Sequence, residues 1–349
     1  MKIALISPLP PPEGGIATWT NGAVSYFTEN QIQCEIVNSA VVGRRKYQIT
    51  SAISIYDELL RTRGIIRRLS TVLGTFHPDI LHINTSCGRF GIYRDYICMQ
   101  IARMKHIPCV LHCHCNVSDQ LRSFFAKIAF SQMVQMAKAV LVLNKSSLQY
   151  VNLHSGRSPM LIPNFVEAEQ AHVSDKMIRK NIQKILYVGH VQRSKGCFEI
   201  IEAAKHFPQI SFTLVGPVSN EVRVSRLPEN VTLTGQTEHS CVKEYMDDAD
   251  VFLFPSYTEG FSISLLEAMQ SGLPVIASGV GANVDMLEGK GGVIIPVQNI
   301  QSIIDAITLL NNPNIREGMS LWNRDRVATC YSRISVMKKL VELYRNLSV

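Results

Sequence analysis

The residues in this chain best suited to chemistry lie in Pro255-Ser256-Tyr257-Thr258-Glu259-Gly260-Phe261-Ser262-Ile263-Ser264-Leu265-Leu266-Glu267-Ala268-Met269. The segment follows the apolar run Val251–Phe254 and leads into a short helix that Gly272 and Pro274 stop. Ser262 or Ser264 caps such a helix, leaving free backbone N–H groups and a positive dipole end at the exit of the strand. That is an anion site of the size of a diphosphate. Glu259 stands ahead of the cap. Glu267 lies further along the helix, where a carboxylate accepts hydrogen bonds from vicinal hydroxyls. Taken singly, the two carboxylates read more readily as a solvated loop residue and a surface helix residue.

Positioning such a site takes strands, and the chain has two series of them. Apolar runs at Ile3–Ile6, Cys34–Val37, Ile80–Ile83, Cys109–His114, Ala139–Leu143 and Met160–Ile162 alternate with helix-length amphipathic stretches. After a polar stretch the pattern restarts at Ile185–Val188, Ser211–Val215, Val231–Thr234, Val251–Phe254, Val275–Ala277 and Gly292–Ile295. Strands separated by helices argue for βαβ units and parallel sheets. The expectation is an α/β chain of two Rossmann-like, doubly wound domains, residues 1–165 and 166–331, facing a central cleft, with a linker at Pro163–Ser174. Residues 332–349 read as a helix packing back on the first domain, with apolar residues at Ile334, Met337, Leu340, Val341 and Tyr344. Ligands of such folds sit at the carboxyl ends of the strands. Gly14-Gly15, after the first strand, therefore reads either as a close approach of backbone to phosphate or acceptor, or as a tight turn following Pro8–Pro12.

Composition narrows the classes. With 46% hydrophobic and 18% charged residues among 349, the chain is too apolar for disorder. Its apolar runs fall far short of the roughly 18 residues that span a bilayer, and Met1–Ser7 lacks the apolar core of an export signal. Nine cysteines without a repeated spacing are expected as reduced thiols in a cytoplasmic protein. In His112-Cys113-His114-Cys115, strand alternation puts the histidines on one face and the cysteines on the other, so one metal ion cannot collect all four. Charge is uneven: residues 1–165 carry 17 Lys and Arg against 8 Asp and Glu, residues 166–349 carry 18 against 20. A basic first half points to an anionic partner. Arg61, Arg63, Arg67 and Arg68 flank Ile65, Ile66, Leu69, Val72 and Leu73 on a candidate helix, which is either a membrane-surface element or a crossover helix with a solvated side. Nucleic acid is not expected, since interleaved aromatics and a reading helix are missing.

The Pro-Ser-x-x-Glu-Gly-Phe segment followed by Glu-Ala-Met resembles the retaining glycosyltransferases of family 4, which have the two-domain GT-B fold. The resemblance continues in register through Ile162-Pro163-Asn164, Val188-Gly189, Lys195-Gly196, Val215-Gly216-Pro217, Gly235, Ala249-Asp250-Val251 and Val280-Gly281-Ala282 with Asp285. In the first half it is looser: Gly14-Gly15, Pro78-Asp79-Ile80-Leu81-His82 and the strand ending at His114. It implies that Glu267 holds ribose hydroxyls and that Glu259 contacts the transferred sugar. It further implies that Lys195 and the N–H groups of Phe261, Ser262 and Ile263 neutralise the donor diphosphate, and that His114 touches the sugar. His112, on the same face, is a weaker candidate.

Two features depart from the pattern or imitate another. His190 stands after Gly189 where family members commonly have Arg, and Arg193 is the candidate replacement. Asp248-Ala249-Asp250 resembles the Asp-x-Asp metal motif of the other large glycosyltransferase fold, but it precedes a strand rather than following one. No metal or cofactor is therefore expected. The implied reaction moves a hexose-type sugar from a UDP or GDP donor to a glycan or polyprenyl-diphosphate-linked acceptor in surface polysaccharide synthesis, in the cytoplasm at the inner face of a membrane. The alternatives are a nucleotide-sugar epimerase or hydrolase on the same fold, or a catalytically silent nucleotide-sugar-binding subunit.

Overall fold

The computed structural model describes residues 1–11, 14–40, 55–167 and 176–347. Residues 168–174 of the expected linker and Pro12 of the proline run lie outside the described residues. The chain divides into two units, Met1–Glu167 with Arg333–Val349, and Ala168–Ser332.

In the first unit β1 (Lys2–Ser7), α1 (Gly15–Glu29), β2 (Gln33–Asn38), α2 (Ile55–Thr75), β3 (Ile80–Thr85) and α3 (Gly91–Met104) follow in order. They lead to β4 (Cys109–Cys113), α4 (Val117–Gln120), α5 (Phe124–Met136), β5 (Ala139–Val142), α6 (Lys145–Ser155) and β6 (Met160–Leu161). The strands form one parallel sheet ordered β2-β1-β3-β4-β5-β6. Alternation sorts their side chains between two cores. Ala4, Ile6 and Leu111 pack with Leu69, Met99 and Phe130, whereas Ile3, Leu5 and Val110 pack with Trp19, Phe27, Met337, Leu340 and Tyr344. The second of these cores is completed by the C-terminal helix, Arg333–Leu347.

The second unit runs β7 (Lys184–Val188), α7 (Cys197–Ala204), β8 (Ser211–Val215), α8 (Asn220–Arg223), β9 (Val231–Gly235), α9 (His239–Asp248), β10 (Val251–Phe254) and α10 (Ile263–Gln270). It continues with β11 (Val275–Ser278), α11 (Asn283–Leu287), β12 (Gly292–Ile295), α12 (Ile300–Leu310) and α13 (Pro313–Arg326), and the C-terminal helix is α14. Its parallel sheet is ordered β12-β11-β10-β7-β8-β9. Both sheets are doubly wound, with strand order reversing between β1 and β3 in one and between β7 and β10 in the other. Ligand sites of open α/β sheets lie at the carboxyl ends of such strand pairs. No described helix is long and apolar enough to cross a membrane.

The arginine surface expected on α2 needs correction. Arg61 is not a surface cation: its Nη1 pairs with Glu58 and its Nη2 donates to the Ser39 carbonyl at the end of β2. Arg68 pairs with Glu35 at 3.2 Å. Ile65, Leu69, Val72 and Leu73 are buried, so α2 is the crossover helix between β2 and β3, with Arg63 and Arg67 on its exposed side.

Candidate active site

At the switch point of the second sheet three loops interlock. The loop after β7 carries Gly189–Gly196, with a single 3₁₀ turn at Arg193–Lys195. The loop after β10 carries Pro255–Ser262, and the loop after β11 carries Gly281 and Ala282. Tyr257 N–H donates to Ser194 O at 3.0 Å and Ala282 N–H to Gly260 O at 3.1 Å. Two glycines permit these contacts. At Gly196 (φ +73) a Cβ meets Pro255 O at 2.2 Å, and at Gly281 (φ +53) it meets Glu259 O at 2.1 Å. Only a residue without a side chain allows such approach in that backbone conformation.

Lys195 Nζ lies 2.6 Å from Glu259 Oε1, which also accepts from Ser256 Oγ at 2.7 Å. The pair is half-sheltered, with side-chain exposures of 25% and 11%. Ser262, not Ser264, caps α10, its Oγ accepting from Leu265 N–H at 3.2 Å. From just before that cap into the first residue of α10, the N–H groups of Phe261, Ser262 and Ile263 make no hydrogen bond among the described residues. An ammonium, a helix N-terminus and unpaired N–H donors therefore gather within one loop cluster, which is what an oxyanion requires. Glu267 is half-buried one turn into α10.

The remaining residues of this cluster divide. Gly189 closes the turn, its N–H donating to Val215 O, and buried Tyr187 donates its hydroxyl to His190 O at 2.9 Å, so the loop is held from below. Desolvation and then the charge of Lys195 push the His190 imidazole below its ordinary range, leaving it neutral beside the ammonium. Arg193 is drawn off elsewhere: its backbone N–H and Nε bind Glu221 at 3.1 and 3.4 Å, and its guanidinium stacks 4.2 Å above Phe198. Asp250 and Asp248 sit at the amino edge of the sheet. Asp250 accepts from the N–H groups of Gln183 and Lys184 and from Arg179, and Asp248 pairs with Arg179 and Lys184. Both carboxylates tie down the start of β7.

In the first unit the histidines and cysteines do lie on opposite faces. Cys113 and Cys115 are in the core with Leu111, and His112 and His114 turn towards Trp19. His112 is fully buried against Ile162 O (3.2 Å) and serves the core. His114, just past β4, is fastened by its N–H to Thr85 O (2.7 Å) and by Nε2 to Asn84 Oδ1 (3.0 Å). Burial pushes it down to about 3, assisted by His82 and opposed by the Asn164 amide. Gly14 caps α1 with extended backbone (φ 175) and open space where a Cβ goes, and α1 begins at Gly15, so the fold itself asks for no glycine at 14. Asn84, His82, Tyr344 and Ser256 were not singled out as site residues from the sequence. The Tyr344 contact is made across elements, whereas the offset of two between His82 and Asn84 along one strand face and the offset of three between Ser256 and Glu259 in one loop are local signals.

Residues 169–324 match the family model described as Glycosyl transferases group 1. Over 300 residues the chain is 25% identical to a Bacillus subtilis (strain 168) protein named as a teichuronic acid biosynthesis glycosyltransferase, covering 78% of this chain and 75% of that one. It is 22% identical over 302 residues to an Escherichia coli UDP-Gal:alpha-D-GlcNAc-diphosphoundecaprenol alpha-1,3-galactosyltransferase, covering 78% and 76%. In structure it is similar to sucrose-phosphate synthase from Thermosynechococcus elongatus, with a TM-score of 0.78 and 19% identity over 99% of this chain and 98% of the other. The fold of the chain is GT-B.

Proposed function

We propose that the chain is a retaining glycosyltransferase that takes a hexose-type sugar from a UDP or GDP donor to a saccharide or polyprenyl-diphosphate-linked acceptor in surface polysaccharide synthesis. The observation that carries this reading is the Lys195–Glu259 contact beside the three unpaired N–H groups at the start of α10. In this reading Lys195 and those N–H groups hold the diphosphate and stabilise it as it leaves with the negative charge of the broken C1–O bond. Glu259, restrained by Ser256, faces the sugar, and Glu267 takes the ribose hydroxyls. His190 and Arg193 are left with lesser parts, since Arg193 is engaged by Glu221 and Phe198. His114 meets a sugar at the carboxyl edge of the first sheet, and Gly14 and Gly15 border the acceptor. Diphosphate binding by an ammonium and a helix end needs no metal ion.

Both named relatives act, by their names, in glycan assembly, and one uses a diphosphoundecaprenol acceptor. That supports a lipid-linked acceptor here, as does the basic residue balance of 1–165. It also supports a cytoplasmic enzyme that visits the inner face of a membrane.

The test is thermal melting against UDP, GDP, ADP and their sugars, followed by radiolabelled transfer to polyprenyl-diphosphate saccharides. A shift with one nucleotide and label in the acceptor fraction is expected. Label released as free sugar with every acceptor identifies a hydrolase instead, and no shift with any nucleotide identifies a silent subunit.

A further inference from the structure

Behind His114 lies a chain of buried hydrogen bonds whose directions can all be deduced. Ile16 O only accepts, so Thr20 gives it its one proton, at 2.7 Å. Thr20 Oγ1 must then accept from Ser7 Oγ, 2.5 Å away. Ser7, its proton committed, accepts from Asn84 Nδ2 at 2.9 Å. This orients the Asn84 amide, with its Oδ1 facing two imidazoles, 2.8 Å from His82 Nε2 and 3.0 Å from His114 Nε2. Burial keeps both rings neutral, His82 down to about 4 and His114 to about 3. A neutral imidazole has one proton, and a carbonyl oxygen requires it on the nitrogen that faces it. Tyr344 of α14 closes the far end, its hydroxyl 2.6 Å from His82 Nδ1, and Trp19 stacks on His82 with ring centroids 5.5 Å apart.

We infer that Asn84 is a positioning residue that holds His114 as the Nε2–H tautomer, and that Tyr344, from the C-terminal helix, secures this state through His82. The structural part stands alone; its catalytic consequence rests on the function proposed above. His114 is then an uncharged ring of fixed plane whose buried Nδ1 carries no proton, with the Asn164 amide the other polar group against it. The last helix of the chain, joined to the first unit after the whole of the second, thereby takes part in setting the state of a first-unit side chain.

Two-bond ¹H–¹⁵N spectra of the full chain labelled at histidine read the tautomers directly, without substrate. In the wild type His114 and His82 are expected protonated at Nε2 alone. Asn84→Leu is expected to move His114 to a mixture of tautomers, and Tyr344→Phe to disturb His82 first. The kcat of sugar transfer should fall about 10- to 100-fold in Asn84→Leu with KM little changed, as for a reacting group displaced by about an ångström. If Asn84→Leu fails to fold, Asn84→Asp keeps an acceptor in place: His114 should stay protonated at Nε2 and accept its second proton at higher pH than in the wild type. A wild-type His114 protonated at Nδ1, an unchanged tautomer in folded Asn84→Leu, or an unmoved titration in Asn84→Asp overturns the inference. Absence of sugar transfer by the wild type removes the proposed activity and leaves the tautomer result standing.

Discussion

Lys195 Nζ and Glu259 Oε1 are 2.6 Å apart across 64 residues of sequence, one at the end of the loop after β7 and the other in the loop after β10. Under the proposed function the pair couples stability to chemistry. Lys195→Met leaves a half-sheltered carboxylate without its ammonium, which should cost about 1–2 kcal/mol, between the values for exposed and buried pairs. Transfer should fall about 100- to 1000-fold, the effect of losing one transition-state donor. Adding Glu259→Gln should restore the urea midpoint and not the rate. A double variant that regains activity would show that Lys195 serves the fold alone.

Glu267 is expected to carry nucleotide binding. With nucleotide at about 100 times its dissociation constant the wild type gains about 2.7 kcal/mol. Measured against its own unliganded melting temperature, Glu267→Ala should lose most of that shift at the same nucleotide concentration. A full shift in the variant would remove the ribose role.

Gly281 and Gly14 should respond oppositely to the same change. Gly281→Ala places a Cβ against Glu259 O in a left-handed backbone (φ +53), and should cost at least about 1–3 kcal/mol while displacing Glu259. Gly14→Ala meets nothing within 4 Å and should leave the melting temperature unchanged. Differential scanning calorimetry of the two variants checks this. Unimpaired transfer by Gly14→Ala would show that no ligand needs the close backbone approach there.

Acid should unfold the first unit through its histidines. His82, His112 and His114 all titrate below the ordinary histidine value because burial disfavours the cation. The unfolded chain therefore binds protons first. Stability is full above about pH 6.5 and declines towards pH 4, by about 1.4 kcal/mol per pH unit for each histidine that is charged only when unfolded. Urea melts between pH 7 and 4.5 should show this slope, and His82→Gln should flatten it. An equal slope in the variant would mean that other groups drive the acid transition.

The β/α order of both units is legible in the sequence because strands buried in a parallel sheet are rich in apolar residues, and β1, β5, β7 and β10 each hold four consecutive ones, Ile3–Ile6, Ala139–Val142, Ile185–Val188 and Val251–Phe254. The α10 segment is legible for a related reason: a cap, a helix and the loop before it are local, so Glu259, Ser262 and Glu267 announce themselves by spacing. The Lys195–Glu259 contact rests on strand order, since β10 lies beside β7 only through a long crossover. What Arg193 does was decided by Glu221 and Phe198, which no local pattern ties to it. Arg61 likewise looked like a surface charge until Glu58 and the end of β2 claimed it. Sequence alone thus determined the elements and the capped start of α10, because periodicity and capping act over a few residues. Tertiary structure decided which side chains meet, including the path from Tyr344 to His114, because hydrogen-bond partners are set by which strands and helices become neighbours in the folded chain.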